Sequence, residues 1–420
     1  MTTINTKILL EKSKKFLNII DQLYASPPEV VIKRIADLVS EHNKWCMGES
    51  LLFSSPGRIE VAGNHTDHNN GAVVAAAVSV DTLACVTPSD DNWIIIKSKG
   101  YADVIVGIDD LEYHEEEKGT SHAMVRGILR CYADRGYKIG SFSATTVSDV
   151  FKGAGMSSSA SFEVLVTEIL NVLYNDGKIA AMERASISQF AENIFFGKPS
   201  GLMDQAAIAL GGINYIDFEN PTAPYVRKLN FIFDDIMPVV INCGGDHCNL
   251  TENYAAIKSD MESIAKFYGK DKLRQVNETT FRHNIKTLKQ RFSGRAILRA
   301  LHFFEEHARS KKIAAAVASV EKKEFLSLIN ASGLSSYKKL QNIYPEGDPQ
   351  EPVALALAIV ESTEGVVASR VHGGGFAGTI LTFVEKTSLD AFVRSMDLIF
   401  GSENVFAVKI RRHGAIKIDL

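Results

Sequence analysis

Residues 151–174 read FKGAGMSSSASFEVLVTEILNVLY. The first ten form a glycine- and serine-rich segment, and the apolar residues after them predict a helix from Ser161 to Tyr174. Glycine has no Cβ to hold a ligand away, and the first turn of a helix presents unpaired N–H groups and the positive end of its dipole. The stretch therefore predicts a phosphate-binding loop.

This loop differs from the two best-known nucleotide-binding motifs. It lacks the Gly-Lys-Ser/Thr ending of the Walker A loop, and it lacks a full G-x-G-x-x-G. A plain turn in which Ser159 caps an ordinary helix is the alternative interpretation. The stretch alone leaves both interpretations open.

Length and composition indicate an ordinary globular protein. The chain has 420 residues, enough for two or three domains, with 45% hydrophobic and 23% charged residues. Lys and Arg total 46 against 50 Asp and Glu, a net charge of −4. This balance disfavours nucleic acid or an anionic membrane as a partner.

The cysteines and the N-terminus bear on location. The five cysteines are scattered and odd in number, which favours reduced thiols. Residues 1–15 have no signal-peptide core, and the longest uncharged apolar stretch, residues 71–80, is too short to span a bilayer. We expect a cytoplasmic protein.

A second segment, PGRIEVAGNHTDHNNG at residues 56–71, lies between two apolar runs, and the run after it predicts a strand from Ala72 to Val80. Its density of reactive side chains indicates function, although its glycines and asparagines also suit a polar turn. The side chains in question are Arg58, Glu60, Asn64, His65, Asp67 and His68.

Two later segments add candidates. Apolar residues at 187, 190, 191, 194 and 195 predict an amphipathic helix that ends at Gly197, with Glu192 off its apolar stripe, and Asp204 opens a short helix as a cap would. Near the end, HGGGFAG at residues 372–378 lies between two predicted strands. Its glycines suit either a tight hairpin or a close approach to a phosphate. CGGDHC at residues 243–248 predicts a turn rather than a metal site.

In order and spacing, these segments resemble the motifs of the GHMP small-molecule kinases, most closely those members that phosphorylate galactose. Residues 56–71 are similar to G-R-x-N-L-I-G-E-H-T-D-Y-x-x-G, and residues 153–164 to G-x-G-L-S-S-S-A-S-x-E-V. Residues 191–205 are similar to A-E-x-x-F-x-G-x-x-x-G-x-M-D-Q, and residues 372–378 to the third, glycine-rich motif. Four motifs in order are far more specific than one.

The resemblance implies a two-domain α/β (α+β) fold. We expect an N-terminal domain at residues 1–218, with a left-handed βαβ unit around the phosphate loop, and a ferredoxin-like C-terminal domain at residues 219–420. The active site would lie between the two domains.

The implied activity is ATP- and Mg²⁺-dependent phosphorylation of a monosaccharide at its anomeric hydroxyl, with galactose as the expected substrate. A kinase of galacturonate, arabinose or N-acetylgalactosamine is one alternative. A catalytically silent sugar or nucleotide sensor is another. The implied partners are a small sugar and ATP, and we expect a monomer while leaving an oligomer open.

The resemblance also assigns roles to residues of this chain. It implies catalytic roles for Asp204 and Arg58 and Mg²⁺ ligation by Ser158 and Glu192. The implied sugar contacts are Asn64, His65, Asp67, Asp204 and Tyr254. The implied nucleotide contacts are Gly153, Ala154, Gly155, Met156, Ser157, Ser158 and Ser159.

The chain departs from the family pattern at several positions. Asn64 stands where the family has glutamate and Glu60 where it has asparagine, while His68 replaces a tyrosine and Ala377 a glycine. The family glutamate contacts the hydroxymethyl end of the sugar, and an amide offers a donor that a carboxylate lacks. The departures therefore bear on the identity of the sugar, and a substituent such as a carboxylate becomes conceivable there.

Overall fold

The computed structural model describes residues 14–150, 155–244, 250–344, 349–376 and 378–419, which form a mixed α/β structure. The strands are β1 (Leu51–Ala62), β2 (Ala72–Ser89), β3 (Trp93–Ser98), β4 (Val104–Gly107), β5 (Ser141–Ser148), β6 (Ile213–Asp217), β7 (Tyr225–Leu229), β8 (Ile236–Gly244), β9 (Val366–Val371), β10 (Gly378–Glu385), β11 (Val405–Ala407) and β12 (Ile416–Ile418). The α-helices are α1 (Lys14–Leu23), α2 (Pro28–His42), α3 (Ser121–Asp134), α4 (Ser158–Tyr174), α5 (Ala181–Phe190), α6 (Met203–Leu210), α7 (Thr251–Phe267), α8 (Glu278–His283), α9 (Ile285–Leu288), α10 (Gly294–Ala318), α11 (Lys322–Ser335), α12 (Pro352–Glu361) and α13 (Leu389–Phe400).

The larger sheet is organised around β2, an 18-residue strand whose apolar first half is buried. The strand order is β12-β1-β2-β5-β3-β4, and β6 pairs with β2 and β7 with β6. The β3–β5 pair is parallel, and the other described pairs in this sheet are antiparallel. Because β2 carries three neighbours, the turn between β1 and β2 is held at the centre of the sheet.

The smaller sheet has the order β11-β8-β10-β9, and its described pairs are antiparallel. Helices connect β8 to β9 and β10 to β11, while β9 and β10 form a hairpin. This is the βαββαβ connection of a ferredoxin-like sheet. The expected character of the C-terminal half is confirmed.

One apolar cluster joins the two sheets. It includes Val74 of β2, Val240 of β8, Phe383 of β10, Val317 of α10 and Phe325 of α11, all fully or almost fully buried. Each such side chain contributes about 1.5–3 kcal/mol on removal from water. The two sheets therefore share a continuous core, and this core supports the loops that lie between the sheets.

Several elements match the predicted ones, but the chain's long-range pairing was not predicted. β2 runs on to Ser89, and β12 pairs with β1 through Leu52 and Ile418. β7 and β12 thus lie in the larger sheet although both come after residue 218. The division into residues 1–218 and 219–420 remains a prediction.

Two further observations bear on location. In the part of the chain that the structure describes, no helix is both long and apolar enough to cross a membrane. The described cysteines are free thiols: Cys46, Cys85, Cys131 and Cys243.

Candidate active site

Arg58 and Asp204 form the centre of the site. Arg58 lies at a bulge of β1, where the register with β2 shifts after Pro56, and its backbone N–H donates to the Met156 carbonyl at 3.1 Å. Its Nε and Nη2 donate to the two carboxylate oxygens of Asp204 at 2.7 and 2.8 Å, and its Nη1 donates to the Gly155 carbonyl. A bulge can redirect a side chain next to a functional site, and this one points Arg58 at both partners.

Asp204 is held ionised. Burial alone would raise the pKa of Asp204, but the charge and hydrogen bonds of Arg58, together with a hydrogen bond from the Ser157 hydroxyl, lower it below its usual value. The Asp204 side chain is still 31% exposed. The site therefore presents an oriented carboxylate that a substrate hydroxyl can reach.

The N-terminus of α4 is available to a ligand. Ser157 precedes the helix in the left-handed conformation, with φ 62°, and its side chain does not cap the helix. Because that hydroxyl bonds Asp204 instead, the first-turn N–H groups keep their capacity for an anion. Among the predicted nucleotide contacts, Met156 is buried, so only its backbone could contact a nucleotide. Gly153 and Ala154 lie outside the described residues.

Glu192 is buried in a π-helical turn, Ala191–Phe196, that comes directly after α5. Its Oε1 accepts from Lys198 Nζ at 2.9 Å and lies 3.5 Å from Ser159 Oγ. Its Oε2 accepts from Gln205 Nε2 at 2.8 Å and from the Ser200 hydroxyl. The carboxylate, which helical spacing placed off the apolar face, thus lies at the first turn of α4.

Glu163 lies beside this carboxylate. Burial, and then the charge of Glu192, raise the pKa of Glu163 well above its usual value. Its Oε2 accepts from Gln205 at 3.1 Å, while Oε1 of Glu163 and Oε1 of Gln205 have no hydrogen-bond partner among the described residues. The cluster is therefore rich in oxygen acceptors.

These oxygens fit a magnesium ion that is held largely by a nucleotide. The described residues contain no group of three or more His, Cys, Asp or Glu that could hold a metal. Mg²⁺ usually takes one or two carboxylates and completes its shell with water and phosphate oxygens. Glu192 suits that arrangement, and the contact it receives from α4 comes from Ser159, the residue after Ser158.

The predicted sugar contacts meet opposite α4. His65, with φ 57°, lies 2.8 Å from the Gly374 carbonyl through Nε2, and its ring stacks on Tyr254 with centroids 6.4 Å apart. The Tyr254 hydroxyl donates to the Gly375 carbonyl at 3.1 Å. Burial raises the pKa of Asp67 to about 6, assisted by the charges of Glu60 and Asp204.

The glycine-rich segment joins this side of the site to the phosphate side. It forms the turn of the β9–β10 hairpin, and a Cβ placed on Gly373 would lie 3.9 Å from both Arg58 Nη2 and the Gly155 carbonyl. The segment is therefore both the predicted hairpin and a close approach of backbone to the site. All four motif segments meet here.

Asn64 is placed differently from the prediction. It is fully buried, and its Nδ2 donates to Glu60 Oε1 at 2.9 Å and to the Gly373 carbonyl at 2.6 Å. Its Oδ1 accepts from Ser336 at 3.2 Å and from Asn342 at 2.8 Å. These bonds use its two donors and two acceptor positions, so Asn64 has no free group for a sugar hydroxyl.

Glu60, in turn, is paired with a buried arginine. Arg370 Nη2 donates to Glu60 Oε1 at 2.6 Å, and the rest of the guanidinium donates to the carbonyls of Val61 and Val371 at 2.8 and 3.0 Å. Any effect of Asn64 on the sugar would therefore act through Glu60 and the loop.

Sequence reasoning missed several residues of the site. Lys198 and Ser200 occupy positions where the motif matched by residues 191–205 allows any residue, so the motif did not indicate them. Gln205 closes that motif, and this signal could have identified it. Glu163 is part of the phosphate-loop motif, but nothing in the sequence indicated that its carboxyl group lies beside that of Glu192.

Two regions of the sequence match known protein families. Residues 123–212 match the GHMP kinases N terminal domain, and residues 41–88 match the galactokinase galactose-binding signature. The galactokinases of Clostridium tetani and Fusobacterium nucleatum are 27% and 29% identical, each over 83% of this chain and over 88% and 89% of their own length.

Solved structures agree on the fold. Lactococcus lactis galactokinase, complexed with galactose, aligns with a TM-score of 0.79 at 22% identity, over 92% of this chain and 99% of that chain. Methanococcus jannaschii mevalonate kinase aligns with a TM-score of 0.62 at 14% identity, over 87% and 99%. Residues 123–212 thus match a GHMP kinase N-terminal domain and residues 41–88 a galactokinase galactose-binding signature, within a fold like that of galactokinase and mevalonate kinase.

Proposed function

We propose that this protein is a sugar 1-kinase that phosphorylates galactose at its anomeric hydroxyl with Mg·ATP. The observation that carries the proposal is the Arg58–Asp204 pair, an ionised and partly exposed carboxylate beside the uncapped N-terminus of α4. The galactose-binding signature and the relatives named galactokinase support the choice of sugar.

Asp204 accepts a hydrogen bond from the anomeric hydroxyl and orients its oxygen toward the γ-phosphorus. Arg58 lowers the pKa of Asp204, after burial has opposed ionisation, so the carboxylate is a weak base and takes up the proton late. This role suits phosphoryl transfer, which depends chiefly on positioning and electrostatics. Arg58 also faces the charge that develops on the transferred group.

The N-terminus of α4 binds the phosphates through its backbone N–H groups. Ser158 and Glu192 would hold Mg²⁺, which neutralises charge on the β- and γ-phosphates when bound. Gly153, Ala154 and Gly155 precede this helix in the chain, and the sequence motif alone proposes them as further nucleotide contacts.

Asp67 and His65 bind sugar hydroxyls, and the Tyr254 ring packs against the apolar face of the sugar. A carboxylated sugar is disfavoured because Arg370, the guanidinium beside Glu60 and Asn64, already donates to Glu60 and two backbone carbonyls. Burial also lowers the pKa of His65 to about 4, so this ring is neutral. These contacts favour a neutral sugar.

A silent sensor would not need an ionised Asp204 held by Arg58, so we favour an enzyme. We also propose a cytoplasmic location, which the free described thiols support. A monomer is the working proposal for the oligomeric state.

The experiment is an ADP-release assay with Mg·ATP and separate samples of galactose, arabinose, galacturonate, N-acetylgalactosamine and glucose. We expect turnover with galactose well above that with the other sugars. Preference for galacturonate would contradict the proposed pocket. Nucleotide binding without turnover of any sugar would favour the sensor.

A further inference from the structure

We propose that Lys198 binds the γ-phosphoryl group of the nucleotide and is a further catalytic residue of this enzyme. The inference rests on the proposed function, because it assumes that the nucleotide lies at the N-terminus of α4. It concerns a residue that the family motif leaves unspecified.

Lys198 lies at the mouth of the predicted phosphate site. Its Nζ is 2.9 Å from Glu192 Oε1, the same oxygen that Ser159 Oγ approaches to 3.5 Å from the first turn of α4. Its charge acts electrostatically on Asp204 and on Tyr254, on the sugar side. The ammonium therefore lies near the first turn of α4, and its charge reaches two of the residues proposed to face the sugar.

The backbone of Lys198 is fixed while its side chain is free to move. Its N–H donates to the Glu192 carbonyl at 3.0 Å, and the turn is set by Gly197, with φ 85°, and by Pro199. The next backbone anchor is the N–H of Ser200, which donates to Asn193 Oδ1 at 2.7 Å. The side chain is 59% exposed, so its four-carbon stem can turn toward a ligand.

The contacts of Glu192 indicate that a bound metal ion would displace the Lys198 side chain. Four donors surround the two oxygens of Glu192, which is about the capacity of a carboxylate. A metal that binds Glu192 must displace one of them, and Gln205 is buried. Lys198 is the exposed donor, and a displaced ammonium would lie beside the metal-bound phosphate.

A second cation would also help to stabilise the charge on the transferred phosphoryl group. The transferred phosphoryl group spreads its charge over three oxygens, and Arg58 already uses Nε, Nη1 and Nη2 on Asp204 and Gly155. Among the described residues, Lys198 Nζ donates to Glu192 Oε1, and an ammonium has three N–H groups. It can bond a phosphate oxygen without a change in the backbone.

The test compares nucleotide binding by calorimetry, with and without the γ-phosphate. Mg·AMP-PNP and Mg·ADP are titrated into the wild-type chain, Lys198→Met, Lys198→Arg and the control Lys118→Met. Lys118 lies beside Gly197 but pairs with Glu115 at 3.4 Å. We expect Lys198→Met to weaken AMP-PNP binding by about 10-fold or more and leave ADP binding nearly unchanged. Lys198→Arg should restore part of the loss, and Lys118→Met should resemble wild type.

Two outcomes would overturn the proposal. Equal weakening of both nucleotides would mean that Lys198 acts through Glu192 or the fold, and no weakening of either would mean that it is a solvated partner of Glu192. The test is independent of the sugar. If the wild-type chain turned over no sugar but the AMP-PNP effect persisted, the proposed function would fail and the role of Lys198 would stand.

Discussion

At the scale of single residues, Asp204 has contacts that a helix cap would not need. Two N–H groups of Arg58 and the Ser157 hydroxyl converge on its carboxylate, and the side chain remains reachable. A cap bonds its own helix, whereas this carboxylate is held by β1 and by the residue before α4. Its environment therefore supports a role in the reaction.

Replacing Asp204 with asparagine tests that role. The amide has one oxygen and no negative charge, and its NH₂ group would face the N–H donors of Arg58. The side chain could then no longer accept all three hydrogen bonds from Arg58 and Ser157. We expect kcat to fall by about 10²-fold or more, with sugar and nucleotide affinity close to wild type. Initial rates and calorimetry measure the two effects.

Asp217→Asn is the matched control, because Asp217 pairs with Arg274 at 3.2 Å outside the site. It should leave kcat close to wild type. Near-wild-type turnover by Asp204→Asn would remove Asp204 from the mechanism.

Asp67 should give the activity a pH dependence. Burial raises the pKa of Asp67 to about 6, so its carboxylate is ionised above that pH and protonated below it. If the ionised form accepts sugar hydroxyls, kcat/KM for galactose falls as the pH is lowered through about 6. Burial lowers the pKa of His65 to about 4, so that ring does not titrate there, and it lowers the pKa of His68 well below its usual value.

A pH profile of kcat/KM from 5 to 8 measures this, with Asp67→Asn as the comparison. The inflection near pH 6 should disappear in the variant. Its persistence there would assign the titration to another group.

Residue chemistry was predictable only in part. The resemblance singled out Arg58 and Asp204, which are 146 positions apart in the chain, and the structure brings them together. Asn64 shows the limit of prediction from sequence, because a motif gives the residue type at a position and not its hydrogen-bond partners. Its internal bonds to Glu60, Ser336 and Asn342 depend on segments far away in the chain.

At the scale of elements, the entry to α4 depends on a close contact with β10. Gly155 has φ 66°, and a Cβ placed there would overlap the Thr379 side chain. The Gly155 carbonyl also accepts from Arg58. Displacement of this residue would therefore disturb both the loop and the Arg58–Asp204 pair.

We expect Gly155→Ala to weaken Mg·ADP binding by about 10-fold or more, because the loop must move away from Thr379. Gly136→Ala is the control, since Gly136 has φ 75° and open space around it. Both variants carry the cost of a left-handed alanine, about 1–2 kcal/mol, visible as a lowered melting temperature. Calorimetry with ADP would contradict the account if both variants bound like wild type.

The π-helical turn Ala191–Phe196 shows why element boundaries alone do not predict a site. The apolar spacing correctly indicated a helix ending at Gly197, but it assumed one uniform helical period. A π turn adds a residue and rotates the side chains C-terminal to it. Ile194, which one uniform period places on the apolar stripe, is exposed, while Glu192 is buried and faces the first turn of α4.

At the scale of the whole molecule, the turn between β1 and β2, which carries the proposed sugar contacts, is held by the C-terminal half. In α10, Glu306 accepts from the Gly63 N–H at 3.0 Å, and His302 Nε2 lies 2.9 Å from the Asn64 carbonyl. Arg370 of β9 binds Glu60 from the other side. The geometry of the turn therefore depends on how the two sheets are packed.

The exchanged pair Glu60 and Asn64 should consequently behave as one unit. Glu60→Asn leaves the buried Arg370 unpaired, and Asn64→Glu places a second carboxylate beside the first. We expect each single change to destabilise the fold by about 3 kcal/mol or more. The double change keeps one acid and one amide. It should destabilise the fold by about 1–3 kcal/mol less than the sum of the two single changes.

Chemical denaturation and the KM for galactose of the four proteins measure this coupling. Strictly additive effects would show that the two positions act independently. Loss of galactose binding in the double variant with the fold intact would instead make the order of the two residues a determinant of the sugar.

The long-range topology was the part that local patterns could not predict. The C-terminal strand β12 returns to pair with β1, and β7 extends the larger sheet beyond the predicted boundary. Three-residue strands such as β11 and β12 carry almost no periodic signal. Their pairing is decided by the packed whole rather than by their own residues.

The central claim is that Asp204 directs phosphoryl transfer to the anomeric oxygen of galactose. The most direct measurement is NMR of galactose labelled with ¹³C at carbon 1, incubated with Mg·ATP and either the wild-type chain or Asp204→Asn. We expect the wild-type product to show phosphorus coupled to the labelled carbon, with the variant producing almost none in the same time. Phosphate on another carbon, ADP without a phosphorylated sugar, or equal product from the variant would contradict the claim.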